Sequence, residues 1–290
     1  MQFDAGLSRA IRPLKLVPAL MLAAPLCVHA AGPSPCGPSP GLPGGKVTSI
    51  DRWLDVHLAD GKVLHLAGIW APAWHVQGRD YASVVRRVMQ QRLIGRNIAY
   101  ALVAPKPDRW RRLDAILFVK DAAGAPADQP LQQTLLSAGL VQVHIAPAMP
   151  CLTVWRAAEQ SARDAGFGLW SDADHAEVDP SRKHAFARLR GHEIVVRGRV
   201  YSVETKGYRT YIRFGPRRYH DFEVSITKPD LKRFVAAGAP PQNLKGHIIR
   251  VRGRLSTKFG PQIEVARPQA VEITDTSGSW PAQSRATSTH

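Results

Sequence analysis

Cysteine is scarce here, with three residues in a chain of 290, and methionine is little commoner at four. Cysteines so few and so far apart do not make a metal site. No nicotinamide, flavin, haem or zinc motif is present either. Long apolar runs are also missing. The one run of note, Leu16–Val28, is 13 residues long and is interrupted by Pro18 and Pro25. That falls short of the roughly 20 residues a membrane-spanning helix needs. Acidic residues are in deficit, with 23 Asp and Glu against 39 Lys and Arg, so the formal net charge is +16 and the pI about 10.3. Such a surplus attracts polyanions, whether nucleic acid, acidic glycan or anionic membrane, and charge alone does not choose among them. The length suits two modest domains.

Residues 1–30 read as a secretory signal peptide. Arg9, Arg12 and Lys15 precede the apolar run, and Val28-His29-Ala30 offers a cleavage site after Ala30. The expected product is exported, periplasmic or secreted, with no stable membrane span. A retained N-terminal anchor is the alternative. A lipoprotein reading at Cys27 is disfavoured because Leu26, not a small residue, precedes it. Cleavage removes Cys27 and leaves Cys36 and Cys151. An even pair in an oxidising compartment is a disulfide candidate, two unrelated thiols being the alternative.

Residues 31–45 are a Pro/Gly-rich arm that cannot form helix or strand. From 46 to 172, alternating strands are followed by helices. Val47–Leu58 and Lys62–Ile69 are expected to form a hairpin across Asp60-Gly61. Helices are expected at Tyr81–Ile94, Leu131–Ala138 and Leu152–Ala165, each followed by glycine. Strands are expected at Asn97–Val103, Leu113–Val119 and Leu140–Ile145. Residues 173–190 read as a linker. Residues 191–273 read as almost all β, with five strand candidates interrupted by a helix at Lys228–Ala237. Five short strands with one helix match an oligonucleotide/oligosaccharide-binding (OB) barrel. Residues 274–290 are Ser/Thr-rich and expected to be disordered.

The surplus charge is unevenly placed. Residues 46–172 hold 15 Lys and Arg against 11 Asp and Glu, whereas residues 182–270 hold 20 against 6. Strand side chains alternate between faces. On that rule Arg250, Arg252 and Arg254 share a face, as do Arg209, Tyr211 and Arg213, and as do Arg197, Arg199 and Tyr201. Cations interleaved with tyrosine suit single-stranded nucleic acid, the cations tracking phosphate and the rings stacking bases. Lys206, Arg217, Arg218 and Lys258 are expected in loops at the rim. A merely solvated basic face is the bland alternative.

Four stretches in the first half carry a family resemblance: Ile50–Pro72, Asp108-Arg109-Trp110-Arg111-Arg112, Leu135–Val141, and Ala157–Trp170 (AAEQSARDAGFGLW). Together they resemble the staphylococcal nuclease-like (thermonuclease) family over residues 46–171. The resemblance implies a five-stranded OB barrel with three helices, so the expected fold class is mainly β with helices, in two OB-fold domains. It also implies where Ca²⁺-dependent chemistry would sit, and there this chain departs from the pattern. The phosphate-binding Arg position holds His65. The two Ca²⁺-ligand positions hold Leu54 and Trp70, and the general-base position holds Ala73. Of the motif residues only Arg112 persists. Asp51 and Asp55 lie near the first metal position, with Asp55 expected on the opposite strand face.

Phosphodiester hydrolysis needs an activated water and charge compensation at phosphate, and Ca²⁺ needs several oxygen ligands. Neither is evident. The reading is therefore an exported nucleic-acid-binding or polyanion-binding protein with a degenerate nuclease-like domain and no metal or cofactor, whose status as an enzyme is open and leans toward none. The Tudor staphylococcal nuclease protein is a family precedent for binding after site loss. Two alternatives stay open. One is an active Ca²⁺-dependent nuclease with a rearranged site built on Asp51, Asp55, His65 and Arg112. The other is an envelope protein- or glycan-binding module. DNA against RNA, and the oligomeric state, are not decided.

Overall fold

The computed structural model describes residues 36–72, 75–76, 79–172 and 177–275. The signal-like segment, the beginning of the arm, Ala73, residues 173–176 and the tail from 276 lie outside the described residues. No described helix is long and apolar enough to cross a membrane.

The segment expected as one strand, Val47–Leu58, is two. Strand β1 (Gly44–Ile50) and strand β2 (Val56–Leu58) pair antiparallel with each other, Ile50 opposite Val56. The loop between them reverses because Leu54 takes a left-handed φ of 68° and the Asp51 carboxylate accepts from the N–H groups of Trp53 and Asp55. Strand β3 (Val63–Leu66) pairs with β2 across the expected turn, where Gly61 has φ 83°. Short strands β4 (Ile69–Trp70), β5 (His75–Val76) and β6 (Arg79–Asp80) lead into helix α1 (Tyr81–Leu93), whose first turn is capped by the Asp80 side chain. Strands β7 (Asn97–Leu102) and β8 (Leu113–Val119) pair antiparallel. The order β1-β2-β3-β8-β7 closes into a five-stranded barrel, the architecture expected for this half. Helix α2 (Leu131–Ser137), strand β9 (Gln142–Val143, on β4) and helix α3 (Leu152–Asp164) pack outside it. Cys36 and Cys151 form a disulfide, tying the arm to the start of α3.

The expected linker contains a helix, α4 (Lys183–Arg188). Its Phe186 is buried and stacked on Phe222 with ring centroids 5.2 Å apart, which orders a segment whose polar composition read as coil. Beyond it, β10 (Glu193–Arg199), β11 (Ser202–Lys206), β12 (Arg209–Arg213), β13 (Glu223–Thr227), β14 (Ile248–Ser256), β15 (Gln262–Glu264) and β16 (Val271–Ile273) make one seven-stranded sheet. Its order is β10-β14-β15-β13-β12-β11, with β16 on the side of β14. Helix α5 (Lys228–Ala236) follows β13, capped by Thr227. Strand alternation holds on β12, where Thr210 and Ile212 are buried. On β14 it holds only halfway, since both faces are covered.

The second cover on β14 is α3. Trp155, Glu159 and Ala162 form the buried stripe of that helix. Glu159 Oε1 accepts from Val143 N–H at 2.7 Å and from Arg252 Nη1 at 3.1 Å, while Oε2 accepts from Arg252 Nη2 at 2.9 Å and from Arg163 at 3.0 Å. Arg252 also donates to Glu272 at 2.8 Å and to the Val143 carbonyl at 3.1 Å. Arg250 reaches Glu177 at 2.6 Å and Glu272 at 3.6 Å, and Arg156 reaches Glu272 at 3.3 Å. Burial opposes charge at Glu272, but Arg252, Arg156 and Arg250 outweigh it and hold its carboxyl at about 2. Glu159 is lowered in the same way, against strong burial, by Arg252 and Arg163.

Two outcomes are expected. Arg252→Ala removes the main cation from the buried Glu159 and one of three from the half-buried Glu272, and should lower unfolding free energy by about 3 kcal/mol in urea. In wild type, Glu272 has its folded-state value depressed below the ordinary 4.5, so its contribution is complete above that value and lost as pH falls toward about 2. The loss is on the order of 3 kcal/mol. Glu272→Gln should flatten the acid limb of thermal stability measured between those pH values.

Candidate functional site

The Asp51–Asp55 loop and the Asp108–Arg112 loop have the same construction. Each begins Asp-Arg-Trp. In each, Asp Oδ1 accepts from the N–H groups two and four residues on, all at 2.9–3.0 Å. In each, the fourth residue has a left-handed φ, 68° at Leu54 and 65° at Arg111. In each, the guanidinium lies over the neighbouring indole, Arg52 at 4.0 Å from the Trp53 centroid and Arg109 at 3.9 Å from that of Trp110. The fifth residues of the two loops, Asp55 and Arg112, then meet.

Asp55 is buried, and it does not turn away from the site. The expectation that it faces the opposite side assumed strand geometry, which the left-handed Leu54 breaks. Its Oδ1 accepts from His65 Nδ1 at 2.6 Å and its Oδ2 from Arg112 Nη1 at 3.1 Å. Asp108 holds the rest of Arg112, with Nε at 2.9 Å and Nη2 at 2.8 Å. Burial opposes the guanidinium charge, and Asp108 and Asp55 more than restore it, so Arg112 is raised. Asp51 Oδ2 lies 3.2 Å from His57 Nε2. Four sequence candidates, Asp51, Asp55, His65 and Arg112, are thus brought into one corner.

That corner does not fit Ca²⁺. Both oxygens of its one buried carboxylate are engaged by His65 and Arg112. Trp70, 40% exposed, stands with Trp53, Leu54, Ile69 and Met89 around an apolar cavity of about 260 Å³, with His65 and Arg112 at its edge. Among the described residues no group of three or more His, Cys, Asp or Glu could hold a metal ion.

The residues expected to bind nucleic acid separate into three sets. Arg209, Tyr211 and Arg254 line one groove of about 690 Å³ on the second sheet. Arg197, Arg199 and Tyr201 are exposed but do not line it. The remaining three are engaged within the protein, which corrects the expected arginine stripe. Arg250 and Arg252 are buried in the ion pairs beneath α3, because that helix and Glu272 cover the face they share. Arg213 is held by Glu204 at 2.9 Å and Glu223 at 3.6 Å.

Arg218 and Lys258, expected at the rim, are in the groove wall, joined by Arg190, Tyr219 and Phe259, which strand periodicity could not find because they lie outside strands. Their signal is adjacency of cation and aromatic: Arg218 lies over Tyr219 at 5.2 Å and Lys258 over Phe259 at 5.3 Å. The two loops touch backbone to backbone at Gly260, where a Cβ would stand 2.4 Å from the Tyr219 carbonyl oxygen.

No protein-family model matches the chain, and no curated protein matches it.

Removing the Asp55 carboxylate should leave Arg112 and His65 without their shared acceptor. Asp55→Ala is expected to cost about 3 kcal/mol in chemical denaturation and Asp55→Asn less, since the amide oxygen still accepts.

Proposed function

We propose that this chain is an exported binding protein for single-stranded nucleic acid, in which a thermonuclease-like domain has lost catalysis and a second, OB-like domain supplies the main contact surface. The observation that carries the reading is the groove on the seven-stranded sheet. Five cations, Arg190, Arg209, Arg218, Arg254 and Lys258, line it together with Tyr211, Tyr219 and Phe259. Cations along a groove neutralise phosphates and release counterions, while exposed rings stack unpaired bases. Some of that charge is offset within the groove, since Arg209 pairs with Glu264, and this leaves Arg190, Arg218, Arg254 and Lys258 as the principal phosphate ligands. Export is supported by the Cys36–Cys151 bridge and by the signal-like N-terminus.

Loss of catalysis is supported by the engaged state of Arg112. A guanidinium bound on two sides by Asp55 and Asp108 has little left for a phosphate. A second reading has one specific observation in its favour. His65 points Nδ1 at Asp55, which leaves Nε2 as the ring's other nitrogen beside the apolar cavity. An imidazole oriented by a carboxylate is the arrangement of a general base. Metal-free hydrolysis of a phosphodiester is the activity such a dyad would support.

The test is fluorescence anisotropy of a labelled single-stranded oligonucleotide with Ca²⁺ or EDTA at several salt concentrations. A stable, salt-sensitive rise in both conditions is expected. The triple variant Arg218→Glu, Arg254→Glu and Lys258→Glu should weaken binding and flatten the salt slope by about 2 log units per log unit of salt. A signal that decays in EDTA and is steady in His65→Ala would establish the second reading instead.

A further inference from the structure

The twin Asp-Arg-Trp loops form a second place where a ring can be held. Trp53 and Trp110 are 60% and 59% exposed, and both line a cleft of about 410 Å³. Two exposed indoles facing one cleft make a shared apolar patch rimmed by polar groups, the kind of surface that marks an interaction site. The remaining walls are Asp51, Asp55, His57, Val63 and Arg112. Arg52 and Arg109 are absent from that lining although each stacks on its own tryptophan. The Trp53 surface turned into the cleft is therefore not covered by Arg52, whereas Trp110, under Arg109, is also approached by the cleft-lining Arg112, 4.8 Å from its centroid.

The geometry is rigid where a stacking platform needs it. Each loop is fixed by the two hydrogen bonds its Asp side chain accepts from backbone N–H groups, by a closing bond that the fourth residue's N–H donates to the Asp carbonyl, and by a bond that the Asp N–H donates to the fifth residue's carbonyl. The two loops are then locked together by Asp55 and Arg112 at 3.1 Å. A ligand would meet preformed walls and little ordering cost.

We infer that this cleft holds one unstacked base of a single-stranded nucleic acid, stacked on Trp53, with Trp110 and the Arg112 guanidinium over it as the facing wall. The exposed cations Arg52, Arg109 and Arg111 around it meet the adjoining phosphates. This rests on the nucleic-acid reading above and adds to it a base site on the first barrel, apart from the basic groove. The cations at the rim favour a base with its phosphates over an uncharged sugar ring, which would gain nothing from them. The polar groups of the floor are paired with one another, Asp51 with His57 and Asp55 with His65 and Arg112, so base identity is read weakly and stacking dominates.

The experiment uses the full chain and a fluorescein-labelled dT12. Both tryptophans are exposed, so Trp53→Ala with Trp110→Ala leaves the core intact, which circular dichroism checks. The double variant should bind at least tenfold more weakly, with an unchanged salt slope, since stacking releases no counterions. Trp53→Phe with Trp110→Phe should recover most of the affinity. Wild-type indole fluorescence should be quenched by dT12 and not by an abasic strand of equal length. If the wild type binds and the alanine variant binds equally well, the base site is wrong and the groove reading stands. If the wild type does not bind dT12, both fall. Quenching by a neutral chito-oligosaccharide but not by dT12 would assign the cleft to sugar and overturn the inference.

Discussion

The first half of the chain meets the second sheet through a buried contact at its centre, the two-pronged pairing of Arg252 with Glu159. It joins a helix that packs on the first barrel to the longest strand of the second sheet. Glu159 also takes the N–H of Val143, so the same carboxylate anchors β9. A buried pair of this kind adds little net stability over a well-packed apolar one, because desolvating both ions nearly cancels their attraction. What it adds is register. A guanidinium satisfied by Glu159, Glu272 and the Val143 carbonyl tolerates no slip of β14 against α3, since a one-residue shift would turn every side chain to the other face.

Much of the first half was legible in the sequence. The hairpin across Asp60-Gly61, three helices ending near glycine and strands β7 and β8 lie where local signals put them, and the Cys36–Cys151 bridge follows from the even cysteine pair. The misses share a cause. The 51–55 loop read as strand because Leu54 has no residue-type signal for a left-handed φ. Helix α4 read as linker because its anchoring contacts, Phe186 on Phe222 and Lys183 to Asp221, are long-range. Arg250 and Arg252 read as a solvent face because alternation says which residues share a side, and nothing about what covers that side. One clue was present. Glu159 sits at helical spacing between Trp155 and Ala162, and a carboxylate on an apolar stripe demands a buried cation.

The same pairing rule separates arginines that hold the fold from those available to a ligand. Arg112, Arg213, Arg250 and Arg252 each meet at least two carboxylates. By contrast, four of the exposed aromatics directly follow a cation that lies over the ring: Arg52-Trp53, Arg109-Trp110, Arg218-Tyr219 and Lys258-Phe259. Stacking a guanidinium or ammonium on one ring face reduces the exposed apolar area while leaving the other face for contact. That dipeptide pattern is readable in sequence without any knowledge of the strands.

The bridge between Cys36 and Cys151 spans 115 residues and encloses all five barrel strands. It therefore sets a mechanical load path. Tension applied to the arm at Cys36 passes through covalent bonds to the start of α3, and from α3 through Glu159 to β14. The strands between them carry none of it. Pulled from its ends, the chain should yield first in the seven-stranded sheet, while the enclosed barrel stays closed until the sulfur–sulfur bond is reduced.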